Sequence, residues 1–183
     1  MNKQKNSSPL VKISGGLLQV FGVGVLIRGD SGIGKSESAL ELISRGHRFV
    51  CDDVTELRKT KKGKLVGTSP AISRYFMEIR GLGIINIKEI FGDKSVSPKS
   101  ELDLVINLKR WKEGREYDRL GLKFPQDYEI LGQRISQIAI PVGPGRNIAT
   151  LIEVACRVHL LKEKGYLAPQ ELDKKLNRAL SIP

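Results

Sequence analysis

The chain is predicted to fold as an α/β protein: a mixed sheet carrying a phosphate-binding loop, with flanking helices and a helical C-terminus. Three observations predict this. An apolar strand pattern, Val23 to Ile27, runs into the glycine-rich stretch Gly29-Asp30-Ser31-Gly32-Ile33-Gly34-Lys35-Ser36; short strand patterns dominate the early part of the chain; and helical periodicity dominates its end. At 183 residues, the chain is long enough for one substantial core and short for two. We therefore read 13–183 as a single domain behind a polar leader, 1–12.

Leu17 to Ile27 reads as two strands broken near Gly22, the second feeding the glycine-rich loop. A helix starts near Lys35, with Ala39, Leu40, Leu42 and Ile43 as its apolar stripe and Gly46 at the position of a left-handed C-terminal cap. Arg48-Phe49-Val50-Cys51 is a strand that delivers Asp52-Asp53 at its end. Val54–Leu57 and Lys64–Val66 pair across a lysine-rich turn. In Glu78 to Asn86, two glycines within an apolar run suggest close backbone approach in place of regular strand. Leu102, Leu104 and Ile106 alternate as a strand, and Ile135 to Val142 is another. After the stiff turn Gly143-Pro144-Gly145-Arg146-Asn147, one helix runs to about Lys164 and a more polar one spans Pro169 to Leu180.

Composition excludes several classes. No apolar stretch is long enough to span a bilayer, and the polar N-terminus is not followed by a signal-type apolar segment, so the expected location is the cytoplasm. Cys51 and Cys156 lack the spacing of a disulfide framework or zinc site and are read as buried thiols. The formal charge of +11 invites a nucleic-acid reading. However, Lys59, Lys61, Lys62 and Lys64 cluster around Gly63 in a solvated turn, and an acidic partner explains the excess equally well.

The chemistry centres on the loop Gly29 to Ser36. Its glycines allow successive amides to face one anion, Lys35 bridges outer phosphates, Ser36 reaches magnesium, and the following helix adds its N-terminal partial charge. Asp52 and Asp53 end the next strand, which in a parallel α/β sheet lies beside that loop. One carboxylate can hold magnesium and the other can take a proton from an attacking hydroxyl. The pair favours transfer to an acceptor over plain hydrolysis. Glu78 can complete the metal shell while Gly81 to Gly83 shape an acceptor groove; an exposed Glu78–Arg80 ion pair is an equally good reading. Arg119 and Arg146 are candidate cations for charge on a transferred phosphoryl group. His47 and His159 have no ligand-like companions and read as structural.

These segments together resemble the catalytic domain of the HPr kinase/phosphorylase family. The matching motifs are Gly29 to Ser36, Arg45 to Asp53, Glu78 to Asn86, Tyr117 to Gly121 and Pro141 to Asn147. The resemblance implies an ATP- and Mg2+-dependent kinase that phosphorylates a serine of HPr or an HPr-like carrier. It also implies reversal by phosphorolysis, with inorganic phosphate consumed and pyrophosphate released. It makes Lys35 the phosphate-bridging lysine, Ser36 and Glu78 magnesium ligands with Asp52 beside them, Asp53 the proton acceptor, and Arg119 a catalytic arginine. The segment from Met77 to Asn86, with Glu78, Ile79, Arg80, Gly81, Leu82 and Gly83, would serve both directions; the loop from Ile140 to Gly145, with Pro141, Val142, Gly143 and Pro144 and with Arg146 after it, mainly dephosphorylation. A homohexamer is also implied.

Three departures stand out. The family carries a further N-terminal domain, where this chain shows only the short leader. Ser14 occupies the place of a catalytic histidine and cannot become cationic near neutral pH. Gly143 stands where a basic residue is expected, so the kinase direction is better supported than phosphorolysis. Two other readings remain: a nucleotide-binding regulatory module without transfer, and a phosphate-loop kinase for a small metabolite.

Overall fold

The computed structural model of the chain describes residues 9–114 and 127–180. In chain order its elements are β1 (Leu10–Ser14), β2 (Gly16–Val20), β3 (Val23–Arg28), α1 (Lys35–Ser44), β4 (Arg48–Cys51), β5 (Val54–Lys59), β6 (Leu65–Thr68), β7 (Phe76–Ile79) and β8 (Gly83–Asn86). There follow α2 (Ile87–Phe91), β9 (Lys99–Glu101), β10 (Leu104–Arg110), β11 (Tyr128–Ile130), β12 (Gln133–Val142), α3 (Ile148–Glu163) and α4 (Ala168–Leu180).

The central layer is a six-stranded mixed sheet ordered β11-β12-β10-β3-β2-β4. Strands β3, β10 and β12 are parallel, whereas β2 is antiparallel to both β3 and β4. Thus β4 runs parallel to β3 without touching it, and its C-terminal end arrives at the same edge of the sheet as the glycine-rich loop. Alternation along the strands sends Leu18, Val25, Ile27, Ile106 and Leu108 to one face, against Leu42 and Ile43 of α1 and Ile152 of α3. Leu17, Leu26 and Val105 face the other way, onto Leu57 and Leu65 of a four-stranded antiparallel sheet ordered β1-β5-β6-β9. Burial on both faces is why the central strands read as nearly continuous apolar runs.

Several sequence expectations hold in detail. The β2–β3 break lies at Phe21-Gly22, and the lysine-rich turn joins β5 to β6. Helix α1 ends with Gly46 at φ 93, where the amides of Gly46 and His47 donate to the carbonyls of Ile43 and Leu42. Cys51 and Cys156 are buried free thiols, and burial pushes their pKa values up to about 11 and about 12.

Other expectations need correction. The polar leader does not extend to residue 12, because Leu10–Ser14 forms β1 and pairs antiparallel with β5. The glycines of 78–86 are not sites of close approach. Gly81 and Gly83 have open space around them and φ values of 90 and 83, which form the turn of the regular β7–β8 hairpin. The close approach occurs at Gly24 instead, where the segment leading out of β9 crosses β3. There the Gly24 amide donates to Asp103 Oδ2 at 2.8 Å, and the Asp103 amide returns to the Gly24 carbonyl at 2.9 Å.

A Cβ added at Gly24 would stand 1.6 Å from the Glu101 carbonyl oxygen, so β3 or the crossing segment must shift to admit it. Gly24→Ala is predicted to destabilise the fold by about 1–3 kcal/mol. Thermal unfolding should show this as a Tm several degrees lower; an unchanged Tm would mean the crossing is loose.

Candidate active site

The loop from Gly29 to Ser36 leaves the C-terminal end of β3, folds back over the sheet and enters α1. Gly29 has φ 154, and a side chain there would meet the Leu108 carbonyl oxygen at 2.8 Å. Gly34, at φ 99, is the N-cap of α1 and supplies no side-chain acceptor, so the first helical amides stay available to an external anion. Lys35 Nζ donates to the carbonyls of Gly29 and Asp30, both at 3.0 Å, which holds the ammonium across the mouth of the loop.

Three segments meet at Asp52. Ser36 Oγ donates to its carboxylate, 3.3 Å from each oxygen. The backbone amides of Asp53 and Glu78 also hydrogen-bond to it. Burial nonetheless pushes the Asp52 carboxyl up to about 6, and the neighbouring Asp53 charge adds to the effect. Asp53 itself is exposed. The Val54 amide bonds to the Asp52 carbonyl at 2.6 Å, placing Asp53 at the apex of a tight three-residue turn with φ 54. Such turns are rare and strained, and strain of this kind concentrates at functional sites. The Asp53 carbonyl accepts from the Gly15 amide at 2.7 Å, which brings the Ser14-Gly15 corner alongside.

The Ser36 hydroxyl and the Asp52 carboxylate bonded to it are oxygen donors of the kind Mg2+ takes, an ion that keeps water and phosphate oxygens in its remaining positions. Among the described residues no cluster of three metal-ligating His, Cys, Asp or Glu side chains occurs.

Glu78 and Arg80 form no ion pair with each other among the described residues. The Arg80 guanidinium nitrogens stand 3.5 and 3.6 Å from where a Cβ on Gly32 would be, so this cation lies directly over the phosphate loop. Glu78 remains on the exposed face of β7. At the far side of the loop, Pro141 and Val142 end β12 beside β10, and the Trp111 amide donates to the Val142 carbonyl at 2.8 Å. Arg146 does not reach toward Asp52. Its Nη1 donates to the Pro141 carbonyl at 2.8 Å and its guanidinium lies 5.8 Å from the Trp111 ring. Arg119, with the rest of Tyr117 to Gly121, lies outside the described residues. His47 is structural: its Nε2 is 2.8 Å from Glu153 Oε1 and its ring packs edge-on against Phe21.

Sequence reasoning passed over Arg28. This residue precedes the loop, its Nε donates to the Ser14 carbonyl at 3.3 Å, and its guanidinium lies 4.7 Å from the Tyr128 ring. Only its position next to Gly29 hinted at a role.

Fold and site together define a phosphate-binding-loop domain of the α/β class, with acidic groups at the neighbouring strand end. The family model for the HPr serine kinase C-terminal domain matches residues 5–176, and the chain belongs to that family. It is 51% identical to an HPr kinase/phosphorylase of Thermoanaerobacter sp. (strain X514) over 170 residues, 92% of this chain and 55% of the relative. Against the HPr kinase/phosphorylase of Bacillus subtilis (strain 168) it is 46% identical over 169 residues, 92% of this chain and 54% of the relative. The solved structure of the Hpr(Ser) kinase/phosphatase from Coxiella burnetii superposes with a TM-score of 0.78 at 37% identity, covering 85% of this chain and 94% of that one. The chain spans about half the length of the curated relatives it matches.

Asp52 links the site to stability. Its folded pKa of about 6 lies above the ordinary 3.8, so the folded protein binds the proton more tightly than the unfolded chain does. This stabilising protonation is complete below about pH 4 and is lost as pH rises through 6. In the metal-free protein, Asp52→Asn should therefore raise stability at pH 7.5, by an amount on the order of 1 kcal/mol after solvent screening. The gain should shrink toward zero at pH 4; denaturant titrations at both pH values would check it.

Proposed function

We propose that the chain is the catalytic part of an ATP-dependent protein-serine kinase acting on HPr or an HPr-like phosphocarrier. The same site would reverse the modification by phosphorolysis. The observation that carries this reading is the convergence of the Ser36 hydroxyl and the Asp53 and Glu78 backbone amides on the Asp52 carboxylate, with the Asp53 side chain exposed at the adjacent turn. A nucleotide-storing module needs the loop; it does not need a second, solvent-facing carboxylate held at the apex of a strained turn.

In the forward direction the serine oxygen attacks the γ-phosphorus of ATP, Asp53 takes the hydroxyl proton, and ADP leaves. Lys35 and Arg80 offset charge on the phosphoryl oxygens, and Arg119 is the further cation the family resemblance supplies. Mg2+ would be held by Ser36 and Asp52 with Glu78 and would neutralise charge on the phosphates. In reverse, inorganic phosphate attacks the phosphoserine phosphorus, Asp53 returns a proton to the leaving serine oxygen, and pyrophosphate is released.

Surface chemistry favours a protein acceptor over a small metabolite. The exposed face of the β7–β8 hairpin carries Phe76 and Ile84, the latter 75% exposed, and Leu82 at the turn is 72% exposed. They form an apolar ledge around Glu78, suited to docking a folded partner. Helix α4 buries none of its residues and leaves Leu172, Leu176 and Leu180 exposed on one stripe. A homo-oligomer, hexameric by resemblance, would cover such a surface. Among the described residues no helix is long and apolar enough to cross a membrane.

Incubation with γ-labelled ATP, Mg2+ and a purified HPr should fix label on a carrier serine. Tight ATP binding without label transfer would instead identify a regulatory module. Asp53→Asn should lower the transfer rate by about 10²-fold or more with nucleotide affinity nearly unchanged. Lys35→Ala should weaken nucleotide binding as well, and transfer surviving the Asp53 change would exclude it as the base.

A further inference from the structure

The β7–β8 hairpin pairs only with itself, outside both larger sheets. Its base is firmly held: Met77 and Ile79 are buried in the core that includes Ala39 and Leu42 of α1, and the Glu78 amide bonds to the Asp52 carboxylate. Past Ile79 these anchors stop. Residues 80–84 are all exposed, and Gly81 and Gly83 have open space where a Cβ would stand. The turn closes on itself through the bond from the Leu82 amide to the Ile79 carbonyl at 3.0 Å.

Arg80 joins this tip to the phosphate loop. Its Nη1 and Nη2 lie 3.5 and 3.6 Å from the position a Cβ on Gly32 would take, and Gly32, at φ 70, stands in the middle of the loop. A polyphosphate held on the loop amides would therefore have a guanidinium beside it, a rigid fork of donors that grips phosphate oxygens in pairs. Leu82 and Ile84, which with Phe76 make the apolar ledge, follow Arg80 by two and four residues on the same tip. A phosphate that fixes Arg80 thereby fixes this part of the ledge.

We infer that Arg80 couples the two substrates: polyphosphate in the loop, gripped by Arg80, sets the hairpin tip in the conformation that receives the protein acceptor. This rests on the kinase reading above and adds a linkage between its two binding steps. Ordering the tip is a cost common to both ligands, so each binds more tightly when the other is in place, and by the same factor. Toward the acceptor Arg80 is a positioning residue. The link runs through phosphate and needs neither sugar nor base.

Calorimetric titration of purified HPr into the chain, with Mg2+ present, measures the coupling when it is done with and without the non-hydrolysable ATP analogue adenylyl imidodiphosphate. The analogue is supplied at a saturating concentration set from each protein's own affinity for it. In the unmodified protein the analogue should tighten HPr binding about tenfold, and inorganic tripolyphosphate should give a factor within about twofold of that. In Arg80→Ala the HPr affinity without nucleotide should stay within about twofold of the original, and the analogue should change it by less than about twofold. Arg80→Lys, which keeps the charge and loses the fork, should recover part of the coupling. Coupling that survives intact in Arg80→Ala would overturn the inference, as would equal HPr affinity with and without the analogue in the unmodified protein; the kinase reading stands in both cases. Coupling by the analogue without coupling by tripolyphosphate would overturn it by placing the link at the sugar or base. Loss of HPr binding in Arg80→Ala without any nucleotide would overturn it too, by making Arg80 part of the docking surface. An unmodified protein that binds neither the analogue nor HPr would overturn the kinase reading itself, and the coupling with it.

Discussion

A carboxylate withdrawn from water must find donors or a cation, and in this protein Asp52 finds its donors in two other segments. The Ser36 hydroxyl comes from the first turn of α1 and the Glu78 amide from the β7–β8 hairpin. Those bonds tie the glycine-rich loop, the end of β4 and the hairpin into one corner, even though β4 and β3 are separated by β2. The donors do not fully repay burial, which is why the carboxyl still sits near 6. A divalent cation would supply what is missing, so the same imbalance that weakens the metal-free fold prepares the corner for its proposed ligand.

How much of this could be read in advance depended on the range of the interaction. The loop and its helix are local: glycines with particular φ angles, a lysine and a hydroxyl at set spacing, and the amphipathic stripe Ala39, Leu42 and Ile43. Asp52 and Asp53 were legible because a strand end is a local feature, and β4 proves parallel to β3 as that reading required. The glycines at 81 and 83 were misread because an apolar run with glycines does not distinguish a hairpin turn from a crowded strand; open space around both decides for the turn. Gly24 carried the opposite signal unnoticed. Its crowding comes from Glu101, far away in sequence, and no local pattern announces such a crossing. The placements of Arg80 over Gly32 and Arg28 on Ser14 were hidden for the same reason.

Helix α3 shows how packing carries the site's far side. Its N-cap Asn147 accepts from the Thr150 amide at 2.7 Å and donates through its side chain to Glu41 of α1 at 2.8 Å. Arg45 at the end of α1 bonds to Thr150 and Glu153 on α3. Single exposed ion pairs contribute little, but this set of partly shielded groups joins the end of the loop-bearing helix to the base of the Pro141–Arg146 segment. Both sides of the phosphate loop are thereby referenced to α1.

The corner at Ser14 retains one property of a basic residue and lacks another. Ser14 ends β1, and Gly15 after it donates to the Asp53 carbonyl, a backbone task that needs no imidazole. Arg28, bonded to the Ser14 carbonyl and stacked on Tyr128, is the cation of that corner. A guanidinium cannot, however, give up and regain a proton near neutrality as a histidine does. In the proposed chemistry the two directions make unequal demands on that difference. Phosphorylation needs only an acceptor for the serine proton, which the exposed Asp53 would provide. Phosphorolysis must deliver a proton to the leaving serine oxygen, and with Ser14 and Arg28 in this corner the delivery would rest on the Asp52–Asp53 pair. The proposed lean toward the kinase direction therefore rests on Ser14, which cannot exchange a proton near neutrality. It does not require a loss of positive charge.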